Sequence, residues 1–120
     1  MNYDQMKKAL NLMDNPIAKL EMVMDFGKNI KPVPDNADCR EIYGCASFVE
    51  ICRSDAGLFG RADSVLVQGI VAILLAMVDG KSADEIRKMD INKEFDSLDL
   101  NLGAGRMNGV NSMIRFLQNL

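Results

Sequence analysis

The sequence predicts an α+β fold in which a small antiparallel sheet packs against several helices. Two helical patterns come first, strand-like segments are confined to the middle of the chain, and several more helical patterns follow. Such segregation of strands and helices is typical of α+β folds rather than of a doubly wound parallel sheet. With 120 residues, of which 48% are hydrophobic and 26% charged, the chain is predicted to form one domain, residues 1–120, with a core of its own.

The first two predicted elements are helices. Apolar residues at helical spacing predict the first from about Asp4 to Met13. Asn15 is a good N-cap and Pro16 suits a first helical position, so a second helix is expected to begin there and to end near Asn29. Two prolines and the absence of periodicity predict a loop over residues 31–38.

The strand-like residues follow this loop. Phe48–Arg53 is rich in apolar and β-branched residues and predicts a strand. Ser54–Gly57 has the composition of a turn, and Leu58–Arg61 is expected to return beside the first strand. Together these segments predict a small hairpin or meander.

The longest apolar segment predicts a buried central helix. Val65–Val78 is apolar on almost every side, and either Asp63 or Ser64 can cap its beginning. Gly80 is suited to the left-handed conformation that ends many helices.

Three shorter helices are predicted after it. Ser82 and Glu85 have the spacing of a capping box, which predicts a helix that ends at about Met89. Further helices are expected over Asn92–Leu98 and Gly105–Leu117.

Charge and hydropathy exclude two classes of partner. The net charge is −3 and no basic stripe is present, which argues against nucleic-acid binding. The longest apolar run has 14 residues, whereas a membrane span needs roughly 20. The N-terminal residues also lack an apolar signal core, so the protein is expected to be cytoplasmic.

The chain contains no histidine. This excludes Ser–His and Cys–His catalysis and every metal site that uses an imidazole ligand. The three cysteines also lack the close pairs that structural zinc sites use, so no metal is expected. The glycine-rich segment Gly103–Gly109 lacks the spacing of a dinucleotide-binding loop, and only 11 residues follow it, so we interpret it as a turn before the last helix.

Of the three cysteines, Cys45 is the best candidate for chemistry. Cys39 is expected in a polar loop, where it has no evident role, and Cys52 is expected to be a small buried hydrophobic residue in the strand. Cys45 follows Gly44 where the loop enters the strand, and a glycine there allows an unusual turn and leaves room around the next side chain. A thiol at such a junction can be reached by a thiol of another protein.

Four segments resemble motifs of the SufE family of cysteine-desulfuration proteins. Around the cysteine, Ile42–Val49 (IYGCASFV) is similar to the family signature V-x-G-C-x-S-x-V. Phe26–Pro34 resembles L-G-x-x-L-P-x-L-P, Val67–Ala72 resembles I-V-K-G-L-I/L-A, and Gly105–Val110 resembles S-R-x-N-G-L. Their order and spacing match over nearly the whole chain, although Glu50 stands where the family usually has tryptophan.

The resemblance implies a fold similar to the IscU scaffold and a role as a sulfur acceptor. Cys45 would take persulfide sulfur from a PLP-dependent cysteine desulfurase of the SufS or CsdA kind, stimulate that enzyme, and pass the sulfur to an iron–sulfur assembly scaffold. PLP would belong to the desulfurase, so this chain would need no cofactor. It would be a sulfur-transfer partner rather than a free-standing enzyme.

Sulfur exchange requires a thiolate, which a nearby positive charge stabilises. Without histidine, the candidates are Arg40, Arg106 and backbone N–H groups. Arg106 matches the family motif and is the preferred stabiliser of the thiolate or persulfide, although it could equally be an exposed charge near a helix start. Because persulfides oxidise readily, the segment from Arg40 to Ser47 is expected to shelter Cys45 and to move when a partner binds.

Two other functions are compatible with the cysteines. A redox switch would use a Cys39–Cys45 disulfide. An iron–sulfur scaffold would require several cysteine ligands that converge at one place.

Overall fold

The computed structural model describes all 120 residues, Met1–Leu120, and confirms the α+β prediction. Six helices surround one three-stranded antiparallel sheet. In chain order the elements are α1 (Tyr3–Asn11), α2 (Pro16–Lys28), β1 (Asp38–Glu41), β2 (Val49–Ser54), β3 (Gly57–Ala62), α3 (Val65–Val78), α4 (Ala83–Lys88), α5 (Ile91–Asp96) and α6 (Ala104–Leu117).

Side-chain caps set the beginnings of the first two helices. The side chain of Asn2 accepts a hydrogen bond from the Gln5 N–H and forms a capping box with that residue. Asn15 caps α2 by accepting from two N–H groups of its first turn, and Pro16 occupies the first position, as the sequence predicts. Helix α1 ends at Asn11, two residues before the predicted end.

The sheet has the order β1-β2-β3. Side chains of the middle strand alternate between the two faces of the sheet. Val49 and Ile51 of β2 are buried in the main core, on the face that packs against α3. Glu50 and Cys52 alternate with them and lie on the opposite face. The predicted hairpin of β2 and β3 is therefore confirmed.

Strand β1 was not predicted as a strand. Its sequence, Asp-Cys-Arg-Glu, holds one apolar side chain and lies at the edge of the sheet, where three of its four residues are exposed. Backbone pairing with β2 therefore forms it, rather than an apolar face of its own.

Helix α3 is the centre of the molecule and has the predicted bounds. Nine of its 14 residues are buried, Ser64 caps its beginning, and Gly80 follows its end with a φ of +75°. On one side it meets β3, where a Cβ on Gly60 would lie 2.8 Å from the Val71 side chain.

On its other side α3 meets α2 backbone to backbone. A Cβ on Gly69 would lie 2.0 Å from the carbonyl oxygen of Val23, and a Cβ on Gly27 would lie 2.7 Å from the Gly69 nitrogen. Only glycine at these two positions permits so close an approach. The Gln68 side chain adds a 3.0 Å hydrogen bond to the Gly27 carbonyl oxygen at the same crossing.

The last three helices close the core. The predicted capping box of Ser82 and Glu85 is present at the beginning of α4. Helix α6 begins after Gly103, which has a φ of +81° and provides no side-chain cap. The glycine-rich segment therefore forms the turn into α6, as interpreted from the sequence.

No helix combines the length and the hydropathy that a bilayer crossing requires. Helix α3, in which Gln68 is the one polar residue, has only 14 residues.

Gly69→Ala is expected to destabilise the fold by at least about 2 kcal/mol, because the added methyl group forces α2 away from α3. Gly105→Ala is the matched control: it also lies in a helix, nothing lies within 4 Å of the added Cβ, and we expect a change of less than about 1 kcal/mol. Urea unfolding of both variants measures the difference. Equal stabilities would contradict the close crossing.

Candidate functional site

Cys45 lies in the connection between β1 and β2. The backbone N–H of Ile42 donates to the carbonyl oxygen of Val49 at 2.8 Å and closes this connection at its base. Ile42 is itself buried in the core, so the base of the loop is anchored while the residues after it extend outward. We call residues 43–48 the cysteine loop.

Gly44 gives the cysteine loop its turn. Its φ of +92° lies in a region that residues with a side chain rarely adopt. A Cβ at this position would also lie 2.5 Å from the Ser112 hydroxyl oxygen. Both the conformation and the space therefore require glycine directly before Cys45. The unusual turn expected from the sequence is present.

The Cys45 thiol rests against α6. It is half-buried, and its Sγ donates a hydrogen bond to the carbonyl oxygen of Gly109 at 3.7 Å. A Cβ on Gly109 would lie 3.2 Å from that sulfur, which is tighter than ordinary packing. Gly109 thus provides the space in which the thiol sits.

A cleft of about 230 Å³ opens beside the thiol. Three segments form its walls: the cysteine loop, the beginning of α3 and the first turns of α6. The residues that line it are Cys45, Ala46, Ser47, Ser64, Val67, Ile70, Gly105, Arg106, Gly109 and Met113.

The cleft brings Arg106 to the same place as Cys45, although 60 residues separate them in sequence. The Arg106 guanidinium is exposed, forms no ion pair, and donates one long hydrogen bond of 3.4 Å to the Leu102 carbonyl oxygen. Arg40, the other candidate, lies in β1 outside the cleft and pairs with Asp38 at 3.5 Å. Of the two arginines, Arg106 is the one that lines the same cleft as Cys45.

Burial raises the pKa of the Cys45 thiol above its ordinary value. No cation acts against this effect in the present arrangement. The thiolate is therefore a minor form of the resting thiol at neutral pH.

The other two cysteines form a disulfide, which corrects two expectations. Cys39 lies in β1 rather than in a polar loop, and it is bonded to Cys52 directly opposite in β2. Cys52 is fully buried as predicted, but it is not a packed free thiol. The sequence carried no signal for this bond because β1, and hence its register, was not recognised.

This pairing bears on both alternative functions. The Cys39–Cys45 disulfide of the redox-switch alternative is not present in this arrangement, in which Cys39 is bonded to Cys52 and Cys45 is free. The one place where three possible ligand atoms converge joins Cys39, Cys52 and Glu50 within 4.8 Å and does not include Cys45. An iron–sulfur scaffold at this place would therefore have two cysteine ligands, both of which are joined in the disulfide.

The largest cleft, of about 700 Å³, lies at α1 and α5, away from Cys45. Within it the Tyr3 hydroxyl donates to the Glu94 carboxylate at 2.7 Å, and Lys7 donates to the same oxygen. Burial and Glu94 raise the pKa of Tyr3, whereas hydrogen bonds from Lys7 and Tyr3 lower the pKa of Glu94. These groups satisfy one another and link α1 to α5, which indicates a structural cluster.

Comparison with known proteins identifies the family. A family model described as "SufE: Fe-S metabolism associated domain" matches residues 4–120. An uncharacterised SufE-like protein of Rhizobium meliloti is 32% identical, with 93% of this chain and 89% of that protein covered. The sulfur acceptor protein CsdE of Escherichia coli is also 32% identical, over 79% of this chain and 71% of that protein.

A plant relative contains the same region as part of a longer chain. The SufE-like protein 1, chloroplastic/mitochondrial, of Arabidopsis thaliana is 29% identical over 92% of this chain but only 32% of its own length. Since the family model matches almost every residue and two relatives exceed 30% identity over most of their length, this chain belongs to the SufE family.

Proposed function

We propose that this protein accepts sulfur on Cys45 from a PLP-dependent cysteine desulfurase, stimulates that enzyme, and delivers the sulfur for iron–sulfur cluster assembly. The observation that carries the proposal is the position of Cys45, the one free cysteine, on a loop beside a cleft. The family description, which concerns iron–sulfur metabolism, and the sulfur acceptor among the relatives support it.

The transfer is a thiol exchange. The Cys45 thiolate attacks the terminal sulfur of a persulfide on the partner, and a new S–S bond forms as the partner's S–S bond breaks. The partner cysteine leaves as a thiolate, and Cys45 becomes the persulfide. A second thiolate, on the next acceptor, takes the same terminal sulfur from Cys45 and restores its thiolate.

Activation of Cys45 has to come from outside its resting position. The chain has no histidine to serve as a base, and burial keeps the thiol protonated. Displacement of the cysteine loop from Gly109 would expose the sulfur to water and lower its pKa toward the ordinary value. Arg106 and the first turn of α6, whose N–H groups have no side-chain cap, face the cleft and would stabilise the resulting anion.

Exposed apolar side chains surround the cysteine loop and fit a partner surface. Tyr43 and Phe48 lie at its two ends with 79% and 39% of their surface exposed. Val65, beside the cleft residue Ser64, is 59% exposed. Aromatic side chains are enriched where proteins dock, so a desulfurase that covers this rim would also reach Cys45.

Incubation with a cysteine desulfurase and free cysteine is expected to add the mass of one sulfur atom to Cys45. Cys45→Ser should remove both this adduct and the stimulation of the desulfurase, because it removes the thiol that lies beside the cleft. Peptide mass spectrometry and the rate of alanine formation measure the two effects.

Ala56→Ser, an exposed change in the turn between β2 and β3 and outside the cleft, is the control and should leave both properties intact. If Cys45 stays unmodified while Ala56→Ser and the native protein leave desulfurase turnover unchanged, the proposal is wrong.

Arg106→Gln should slow sulfur transfer to Cys45 by about tenfold, since a nearby cation typically changes a thiol pKa by one unit or more. Arg40→Gln is the control, because it removes the same charge at a position outside the cleft. It should accept sulfur at the native rate. Initial rates of persulfide formation, with melting temperatures to check folding, decide between them. Equal rates in both variants would remove Arg106 from the site.

The pH dependence of Cys45 alkylation tests the resting state. Because burial raises the pKa of the thiol, the thiolate forms only at higher pH in the folded protein than in the unfolded chain. The rate of Cys45 alkylation by iodoacetamide is measured against pH for the folded protein in buffer and for the unfolded chain in urea. The pH at which the rate rises should be higher for the folded protein. A profile shifted to lower pH in the folded protein would show that Cys45 is already activated at rest.

A further inference from the structure

We infer that the Cys39–Cys52 disulfide is a reversible thiol–disulfide site whose redox state controls access to Cys45. Its reaction partners would be cellular dithiols when it is reduced and peroxides or disulfides when it is oxidised. Only the consequence for sulfur delivery rests on the function proposed above; the effect on Cys45 access does not.

The disulfide encloses the cysteine loop. It joins residues 13 positions apart, and Cys45 lies near the middle of the covalent ring, six residues after Cys39 and seven before Cys52. A cross-link of this kind removes loop conformations that an open chain could adopt. The bond therefore restricts the very segment that has to move for Cys45 to leave Gly109.

Little else holds the outer end of this ring. Strand β1 has four residues, lies at the sheet edge, and exposes Asp38, Arg40 and Glu41 to solvent. Two kinds of interaction attach β1 to the sheet. One is the backbone pairing with β2, and the other is the Cys39–Cys52 bond between side chains. Once that bond is broken, only the backbone pairing with β2 and the buried Ile42 between β1 and the cysteine loop resist local opening.

The two sulfurs differ in accessibility, which determines the course of reduction. Cys52 is fully buried and Cys39 is half-buried, so an incoming thiolate reaches the Cys39 sulfur. Cys52 leaves as a thiolate and takes up a proton. The second thiolate of the dithiol then attacks the mixed disulfide, forms a cyclic disulfide, and releases Cys39, which also takes up a proton. Two electrons pass from the dithiol to the protein.

A paired charge lies beside the leaving sulfur. A Glu50 carboxylate oxygen is within 4.8 Å of both sulfurs, and the Arg61 guanidinium pairs with that carboxylate. The guanidinium offsets the repulsion between Glu50 and a developing Cys52 thiolate. Oxidation runs in the opposite direction. Hydrogen peroxide converts the two thiols to the disulfide and is itself reduced to two molecules of water.

The consequence is a gate that responds to redox conditions. With the disulfide formed, the cysteine loop stays against α6 and Cys45 is sheltered from oxidants that would convert it irreversibly to sulfinic or sulfonic acid. With the disulfide reduced, β1 loosens and Cys45 becomes accessible to a partner.

Alkylation of Cys45 tests the gate without a desulfurase. The protein is prepared with the disulfide formed, or reduced with dithiothreitol that is then removed, and Cys45 modification by iodoacetamide is followed by peptide mass spectrometry. We expect the reduced form to react about tenfold faster, together with faster hydrogen exchange over residues 38–48. Equal rates would overturn the inference, whereas failure of sulfur acceptance alone would not affect it.

The Cys39→Ala/Cys52→Ala double variant provides the second measurement. It should react at the rate of the reduced native protein both with and without dithiothreitol, because it cannot form the cross-link. If it does not fold, the comparison of the two native forms still decides. Finding three alkylated thiols instead of one in peroxide-treated native protein would show that the bond does not form and would also overturn the inference.

Discussion

The approach of α2 to α3 is the constraint on which the remaining arrangement depends. Val23 and Gly69 meet backbone to backbone, with no room for a side chain between them. Because α2 lies so close on one side, the other side of α3 is left to pack against the sheet, and the beginning of α3 becomes one wall of the cleft beside Cys45. The geometry of the candidate site thus depends on a helix crossing that contains no reactive group.

At the candidate site, two glycines place the Cys45 thiol in a partly buried position against α6. Gly44 turns the chain so that Cys45 points toward α6, and Gly109 provides the space that the sulfur occupies. The same burial that shelters the thiol keeps it protonated. Shelter and reactivity of the thiol therefore oppose each other in this position of the loop.

Local signals predicted the helices well, and long-range pairing explains what they missed. Helix α3 has its predicted bounds because apolar composition and caps act over neighbouring residues. Cys45 was found through Gly44 and the motif around it. Strand β1 and the Cys39–Cys52 bond were missed because they depend on register across the sheet, which one hydrophilic tetrapeptide does not reveal. The closeness of Arg106 to Cys45 depends on packing and could be suggested only by resemblance.

The anchoring of Ile42 also sets how far a sulfur atom can be carried. Cys45 lies only three positions after this buried anchor, and a fully extended chain covers about 10 Å over that length. In the proposed function, sulfur transfer to and from Cys45 would therefore take place close to the protein surface. The donor and the next acceptor would then have to bind at the same place in turn.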